Sequence, residues 1–137
     1  MFFEKTQLPK ILLAEDDAVS QKVASVLLAR SGCLVDVVSD GEEALLAWES
    51  GEYDAVLMDC QMPRMDGFHV TKAIRHQEAH GKHTKRTPII ALTALRLQEF
   101  EERCKTVGMD AFLTKPLNFE KLRSTLSSVF VDKRLLS

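Results

Sequence analysis

The sequence predicts an α/β domain with a doubly wound parallel sheet of five strands and five helices. Two observations carry this expectation. Short apolar runs alternate with longer segments of helical spacing five times along the chain. The first, third and fourth runs are apolar without interruption, as strands covered on both faces should be. Strict alternation of strand and helix implies right-handed crossovers, hence parallel neighbours with helices on both sides of the sheet.

The first run is Ile11-Leu12-Leu13-Ala14. From Val19 onward, Val23, Val26 and Leu27 recur at helical spacing, and Gly32 stands where a helix ends on a left-handed residue. The second run, Leu34 to Val38, carries Asp36 and so has a side open to water. Ser39 with Glu42 has the form of a capping box. It opens a second helix with Leu45 and Trp48 as core packing, closed at Gly51. Ala55-Val56-Leu57-Met58 is the third run, and the helix after it has a polar end. A longer loop from His80 to Thr87 leads to the fourth run, Pro88 to Leu92. Leu97, Phe100, Cys104 and Val107 then mark a helix closed at Gly108. The fifth run, Ala111-Phe112-Leu113, is short, and Phe119, Leu122, Leu126, Val129 and Phe130 form a final helix. The polar second run and the short fifth belong at the edges. That gives the flavodoxin-like order 2-1-3-4-5, whose ligand crevice opens at the carboxyl ends of strands one and three.

At 137 residues the chain suits one domain without a separate output module. Residues 1–9 read as an N-terminal extension, 10–131 as the domain and 132–137 as a C-terminal tail. A net charge of −2, with both signs spread along the chain, provides no basic stripe, so no direct nucleic-acid partner is expected. Cys33, Cys60 and Cys104 are distant and odd in number, which argues against a disulfide framework or a zinc ribbon and for a reducing cytoplasm. The start, MFFEKTQLPK, has no signal-peptide core. No apolar run reaches membrane-spanning length, so no membrane insertion is expected.

The parse delivers polar groups from four strands to one rim. Strand one ends in Glu15-Asp16-Asp17, strand three in Asp59 and strand four in Thr93; strand five leads through Thr114 to Lys115-Pro116. Asp17 reads first as an N-cap for the next helix. Converging carboxylates repel one another unless a cation neutralises them, and Mg²⁺ favours such oxygen ligands together with waters and a phosphate oxygen. Carboxylates, a hydroxyl and an ammonium around a metal are the equipment of phosphoryl transfer. Asp59 is then the nucleophile, with the metal and Lys115 balancing charge and Thr93 hydrogen-bonding the transferred group.

Four segments together resemble the receiver domain of two-component response regulators: ILLAEDD, YDAVLMDCQMPRMDGFHV, PIIALTA and DAFLTKPL, in order and at that family's spacing. The likeness runs from about Lys10 to Val131, and EDDAVSQKVA and MDCQMPRMDG are most similar to receivers of hybrid sensor histidine kinases and phosphorelays. It implies that Asp59 is the phosphoacceptor, Asp16 a direct ligand of Mg²⁺ or Mn²⁺, Glu15 a ligand through water, and Gln61 a ligand through its main-chain carbonyl. Thr93 and Phe112 would be the switch pair, Lys115 the phosphoryl-pairing lysine, and Lys115-Pro116 a cis peptide. Phe112 replaces the commoner tyrosine, and Ser20 stands where many close relatives have asparagine. The implied partners are a histidine kinase or histidine phosphotransfer protein as donor, and a downstream effector or the chain's own kinase module as target.

Rival readings lack their residues. A flavodoxin-type cofactor binder needs a glycine-bearing phosphate loop after strand one, where this chain has three acids. An aspartyl-phosphate phosphatase of the haloacid dehalogenase type needs a DxD signature, whereas Asp59 is followed by Cys60 and Gln61. The alternative that stays open is a degenerate receiver acting as an unphosphorylated binding module; the presence of all the key groups argues against it. His76, His80 and His83 lie three or four apart but without the acidic or thiolate partners of a zinc site. Cys60 reads as a small core residue.

Overall fold

The computed structural model describes residues 8–81, 85–94 and 98–134. In chain order the elements are β1 (Lys10–Ala14), α1 (Ala18–Arg30), β2 (Leu34–Val38), α2 (Gly41–Ser50), β3 (Ala55–Asp59), α3 (Gly67–Ala79), β4 (Ile89–Thr93), α4 (Gln98–Val107), β5 (Ala111–Thr114) and α5 (Phe119–Arg134). All strand pairs are parallel and the order is β2-β1-β3-β4-β5, as the edge argument requires.

The two-residue period of the strands divides the core into two layers. Leu12, Ala14, Val56, Met58, Ile89 and Ala91 face α2, α3 and α4, packing with Trp48, Phe68, Val70, Ile74 and Cys104. Ile11, Leu13, Leu57, Ile90 and Leu92 face α1 and α5, packing with Ala24, Leu28, Leu122 and Leu126. β1, β3 and β4 therefore have both faces covered, and this is why their sequences are apolar without alternation. Parallel pairing brings all five carboxyl ends to one rim. Ala14 registers with Met58 and Asp59 with Leu92, so Glu15, Asp59 and Thr93 emerge on adjacent strands.

Several sequence expectations need correction. The apolar face of α1 is not the valine series: Ala24 and Leu28 are buried, whereas Val19, Val23 and Val26 are 71%, 43% and 46% exposed. The small side chain of Ala24 allows close approach to the sheet, and Val23 and Val26 lie about 100° and 160° round the helix from it. The capping box of α2 is shifted by one residue. Asp40 Oδ1 accepts from the Glu43 amide at 2.8 Å, and Glu43 Oε1 accepts from the Ser39 amide at 2.8 Å. Gly41 must follow, because a Cβ there would lie 1.8 Å from the Met65 carbonyl oxygen. Gly32 and Gly108 are left-handed, at φ 86° and 102°, but Gly51 is extended at φ −119°. Space is what requires glycine at 51: a Cβ would sit 2.9 Å from the Tyr53 ring. The fourth strand begins at Ile89 and reaches Thr93, one residue later than its apolar run. Residues 1–7, His83 and Leu97 lie outside the described residues.

Candidate functional site

Two turns and one strand end build an acidic cleft at the rim. Glu15 continues the line of β1, its amide donating to Val38 O at 3.1 Å. The chain then turns sharply because Asp17 caps α1, its Oδ2 accepting from the Ser20 amide at 2.8 Å. That capping bond holds the Asp17 carboxyl below its usual range and accounts for the residue without a metal. Asp59 is the last residue of β3 and is 5% exposed. Its Oδ1 accepts from the Gln61 amide at 3.0 Å.

Gly67, the first residue of α3, closes this turn from behind. A Cβ there would lie 2.5 Å from the Asp59 carbonyl oxygen, so only glycine lets the helix start so near the strand end. From the other side, the Lys115 amide donates to Thr93 O at 2.8 Å, tying the end of β5 to the end of β4. The Lys115–Pro116 peptide is cis. The Lys115 ammonium reaches inward to 2.6 Å from Glu15 Oε1 and 3.2 Å from Asp59 Oδ2.

Glu15, Asp16 and Asp59 present carboxylate oxygens all within 4.8 Å of one another. Against these three carboxylates the described residues supply the Lys115 ammonium. Glu15 is 1% exposed, and burial raises its carboxyl pKa even though Lys115 pulls the other way. Burial works against the Lys115 ammonium, but Glu15 and Asp59 outweigh it and raise its pKa. Glu15 Oε2 accepts from the Asp17 amide at 3.0 Å, while Oε1 is buried and receives no well-directed hydrogen bond, despite its short distance to the ammonium. An excess of oxygen ligands with one under-satisfied buried oxygen fits a hard divalent ion such as Mg²⁺.

The structure thus brings together Glu15, Asp16, Asp59 and Lys115, with Gln61 adjoining through its amide. Thr93 is buried at the end of β4. Phe112, on β5, is half-buried against the α2–α4 layer and belongs to the flank rather than the cleft. Cys60 is core, its thiol pKa pushed up by burial. Trp48 is core as well, and its indole donates to Thr87 Oγ1 at 3.0 Å, a bond between residues 39 apart that spacing does not reveal. His76 and His80 stack at 4.1 Å. Among the described residues, the acidic trio is the one cluster of three metal-ligating side chains. None of the described helices is long and apolar enough to cross a membrane.

Residues 11–127 match the model of the response regulator receiver domain. The chain belongs to that family. It is a receiver domain of two-component and phosphorelay signalling, and the proteins it matches include histidine kinases and hybrid signal transduction histidine kinases. This receiver is 37% identical to histidine kinase 5 of Arabidopsis thaliana over 90% of its own length, and 43% identical to hybrid signal transduction histidine kinase B of Dictyostelium discoideum over 81%. It spans 16% and 6% of those two proteins. Among solved structures it resembles the receiver domain of a sensor histidine kinase from Pseudomonas aeruginosa, with magnesium coordinated in the active-site cleft. The TM-score is 0.79 and the identity 41%, covering 88% of this receiver and 96% of that one. It also resembles a chain of the co-crystal structure of the Saccharomyces cerevisiae histidine phosphotransfer protein Ypd1 with the Ssk1 receiver domain, at TM-score 0.86 and 25% identity, covering 95% of this receiver and 94% of that chain.

Proposed function

We propose that this receiver accepts a phosphoryl group from a phosphohistidine onto Asp59 in a reaction dependent on Mg²⁺ or Mn²⁺, and later loses it to water. The observation that carries the reading is the cleft itself, three converging carboxylates with the Lys115 ammonium 3.2 Å from Asp59 Oδ2. Asp16, Asp59 and the Gln61 main-chain carbonyl would hold the ion directly, with Glu15 acting through a water. When bound, the ion neutralises charge on the cleft carboxylates and on the incoming phosphoryl oxygens.

In the transfer, an Asp59 carboxylate oxygen forms the new O–P bond as the donor's N–P bond breaks, and the bonding pair returns to the imidazole nitrogen. Lys115 pairs with the phosphoryl oxygens, and the Thr93 hydroxyl donates to one of them. Hydrolysis returns Asp59 to its carboxylate and releases inorganic phosphate. The structural response is a shift of Thr93 toward the phosphoryl group and of Phe112 inward, a population change between two states of the α4–β5 face.

The donor is a histidine kinase or a histidine phosphotransfer protein. The exposed series Val19, Val23 and Val26, beginning two residues after the acidic turn, supports a protein donor by offering an apolar helix face beside the cleft. The target is a downstream effector or a kinase module of the same protein. Buried, unpaired thiols at Cys33, Cys60 and Cys104 support a cytoplasmic setting.

Intact-mass spectrometry after incubation with acetyl phosphate and Mg²⁺ tests the chemistry. One phosphoryl adduct, absent in Asp59→Asn and in the presence of chelator, is the expected result. An adduct that persists in Asp59→Asn overturns the assignment of the acceptor.

A further inference from the structure

We infer that Gln21 is a positioning residue for the metal-binding turn, setting the place of the Asp16 carboxylate by gripping the backbone on both sides of it. The inference rests on the metal reading above and concerns how this chain holds its exposed carboxylate ligand.

Glu15 and Asp59 are buried and each is held by hydrogen bonds and by Lys115. Asp16 is exposed, and among the described contacts its carboxylate has no hydrogen bond or ion pair. Its position is inherited from the backbone of its two neighbours, Glu15 and Asp17. Gln21, in the first turn of α1, bonds to both carbonyls. Its amide donates to Asp17 O at 2.9 Å, an ordinary helical bond. Its side-chain Nε2 donates to Glu15 O at 2.5 Å and also lies 3.1 Å from Ser39 Oγ at the end of β2.

Glu15 lies beyond the β1 ladder, so its carbonyl needs a partner from elsewhere. Gln21 supplies one, and through Ser39 it braces the acidic turn against the neighbouring loop. Acceptance by a carbonyl also fixes the orientation of the amide, since only the nitrogen end can donate. A hard ion demands near-octahedral geometry, so an Asp16 carboxylate free to wander binds it less well even when its charge is unchanged. A structural reading of Gln21 predicts lower stability alone; the positioning reading predicts weaker metal binding by the folded protein.

The test is Mn²⁺ titration of the full chain, followed by loss of the free-ion electron paramagnetic resonance signal, with urea unfolding in chelator as the measure of fold. Gln21→Leu keeps the bulk and removes the donor; Gln21→Asn keeps the amide but shortens its reach. Both are expected to bind Mn²⁺ about three- to ten-fold more weakly, the worth of one hydrogen bond expressed in affinity. At saturating metal, acetyl phosphate labelling of Asp59 should return to the wild-type rate, because the nucleophile itself is untouched. Unchanged Mn²⁺ affinity in a folded variant overturns the inference. Failure of the wild-type protein to bind Mn²⁺ overturns the metal reading and this one with it, and is recognised by the control titration alone.

Discussion

Replacing Gly67 by alanine sets two effects of opposite sign against each other. Alanine in a helix is favoured over glycine by about 0.5–1 kcal/mol, and the first residue of α3 is an ordinary place to collect that gain. At this position, however, the new methyl carbon would lie 2.5 Å from Asp59 O, 2.9 Å from Met58 Cγ and 3.1 Å from Cys60 Cα. A carbon–oxygen contact relaxes only at about 3.3 Å or more, so the start of α3 and the end of β3 must separate by most of an ångström. Two of the three obstacles are backbone and cannot swing aside. Overpacking of this kind costs about 1–3 kcal/mol, which leaves a net loss of about 0.5–2 kcal/mol. With a urea slope of about 2 kcal/mol per molar, the unfolding midpoint should fall by about 0.25–1 M at unchanged slope. Trp48, the single tryptophan and 2% exposed, reports the transition by fluorescence. The displaced strand end carries Asp59, so phosphoryl labelling should slow as well. A midpoint equal to or above that of wild type would falsify the close-approach argument and leave only helix propensity.

Other expectations follow from single contacts. Tyr53, the only tyrosine, is half-buried and donates to Asp36 Oδ2 at 2.8 Å; burial first, then Asp36, raise its phenol from 10.0 to about 12. The stability tied to the neutral phenol is present below pH 10 and lost as pH rises toward 12; absorbance at 295 nm should show a native midpoint near that value, and titration near 10 in the folded protein would remove the Asp36 contact from solution. Thr87→Val deletes the acceptor of the buried Trp48 indole and should cost about 1–2 kcal/mol with a changed fluorescence maximum; an unchanged unfolding midpoint counts against that bond. Arg64 is a non-glycine residue at φ 69°, and its ion pair with Asp40 spans 3.6 Å with the arginine 67% exposed. Relief of the backbone outweighs loss of so exposed a pair, so Arg64→Gly should stabilise by about 0.5 kcal/mol, whereas a lower melting temperature would show that the pair matters more. Mg²⁺ at ten times its dissociation constant should stabilise the wild type by about 1.4 kcal/mol and Asp16→Asn by much less, as read by calorimetry with and without chelator; equal stabilisation of the two proteins would exclude Asp16 as a ligand.

Apolar runs alternating with helical segments determined the kinds of element and the parallel sheet, and Asp36 with the short fifth run its edges, since a strand buried on both faces must declare its contacts in its own residues. The rim was legible for the same reason: once the strands are placed, Glu15, Asp16, Asp59, Thr93 and Lys115 emerge at carboxyl ends, and that needs no knowledge of packing. What the chain could not declare locally was decided by neighbours distant in sequence. The rotation of α1, which buries Ala24 and exposes Val23 and Val26, depends on how closely the helix approaches the sheet. The start of α2 at Gly41 depends on Met65, and the extended Gly51 on the ring of Tyr53. The link from Trp48 to Thr87 joins residues 39 apart. The grip of Gln21 on Glu15 depends on where α1 meets the ends of β1 and β2. Each is a contact between surfaces that exist only after folding, so its distance and direction are properties of the assembled sheet and helices, and no window of sequence contains them.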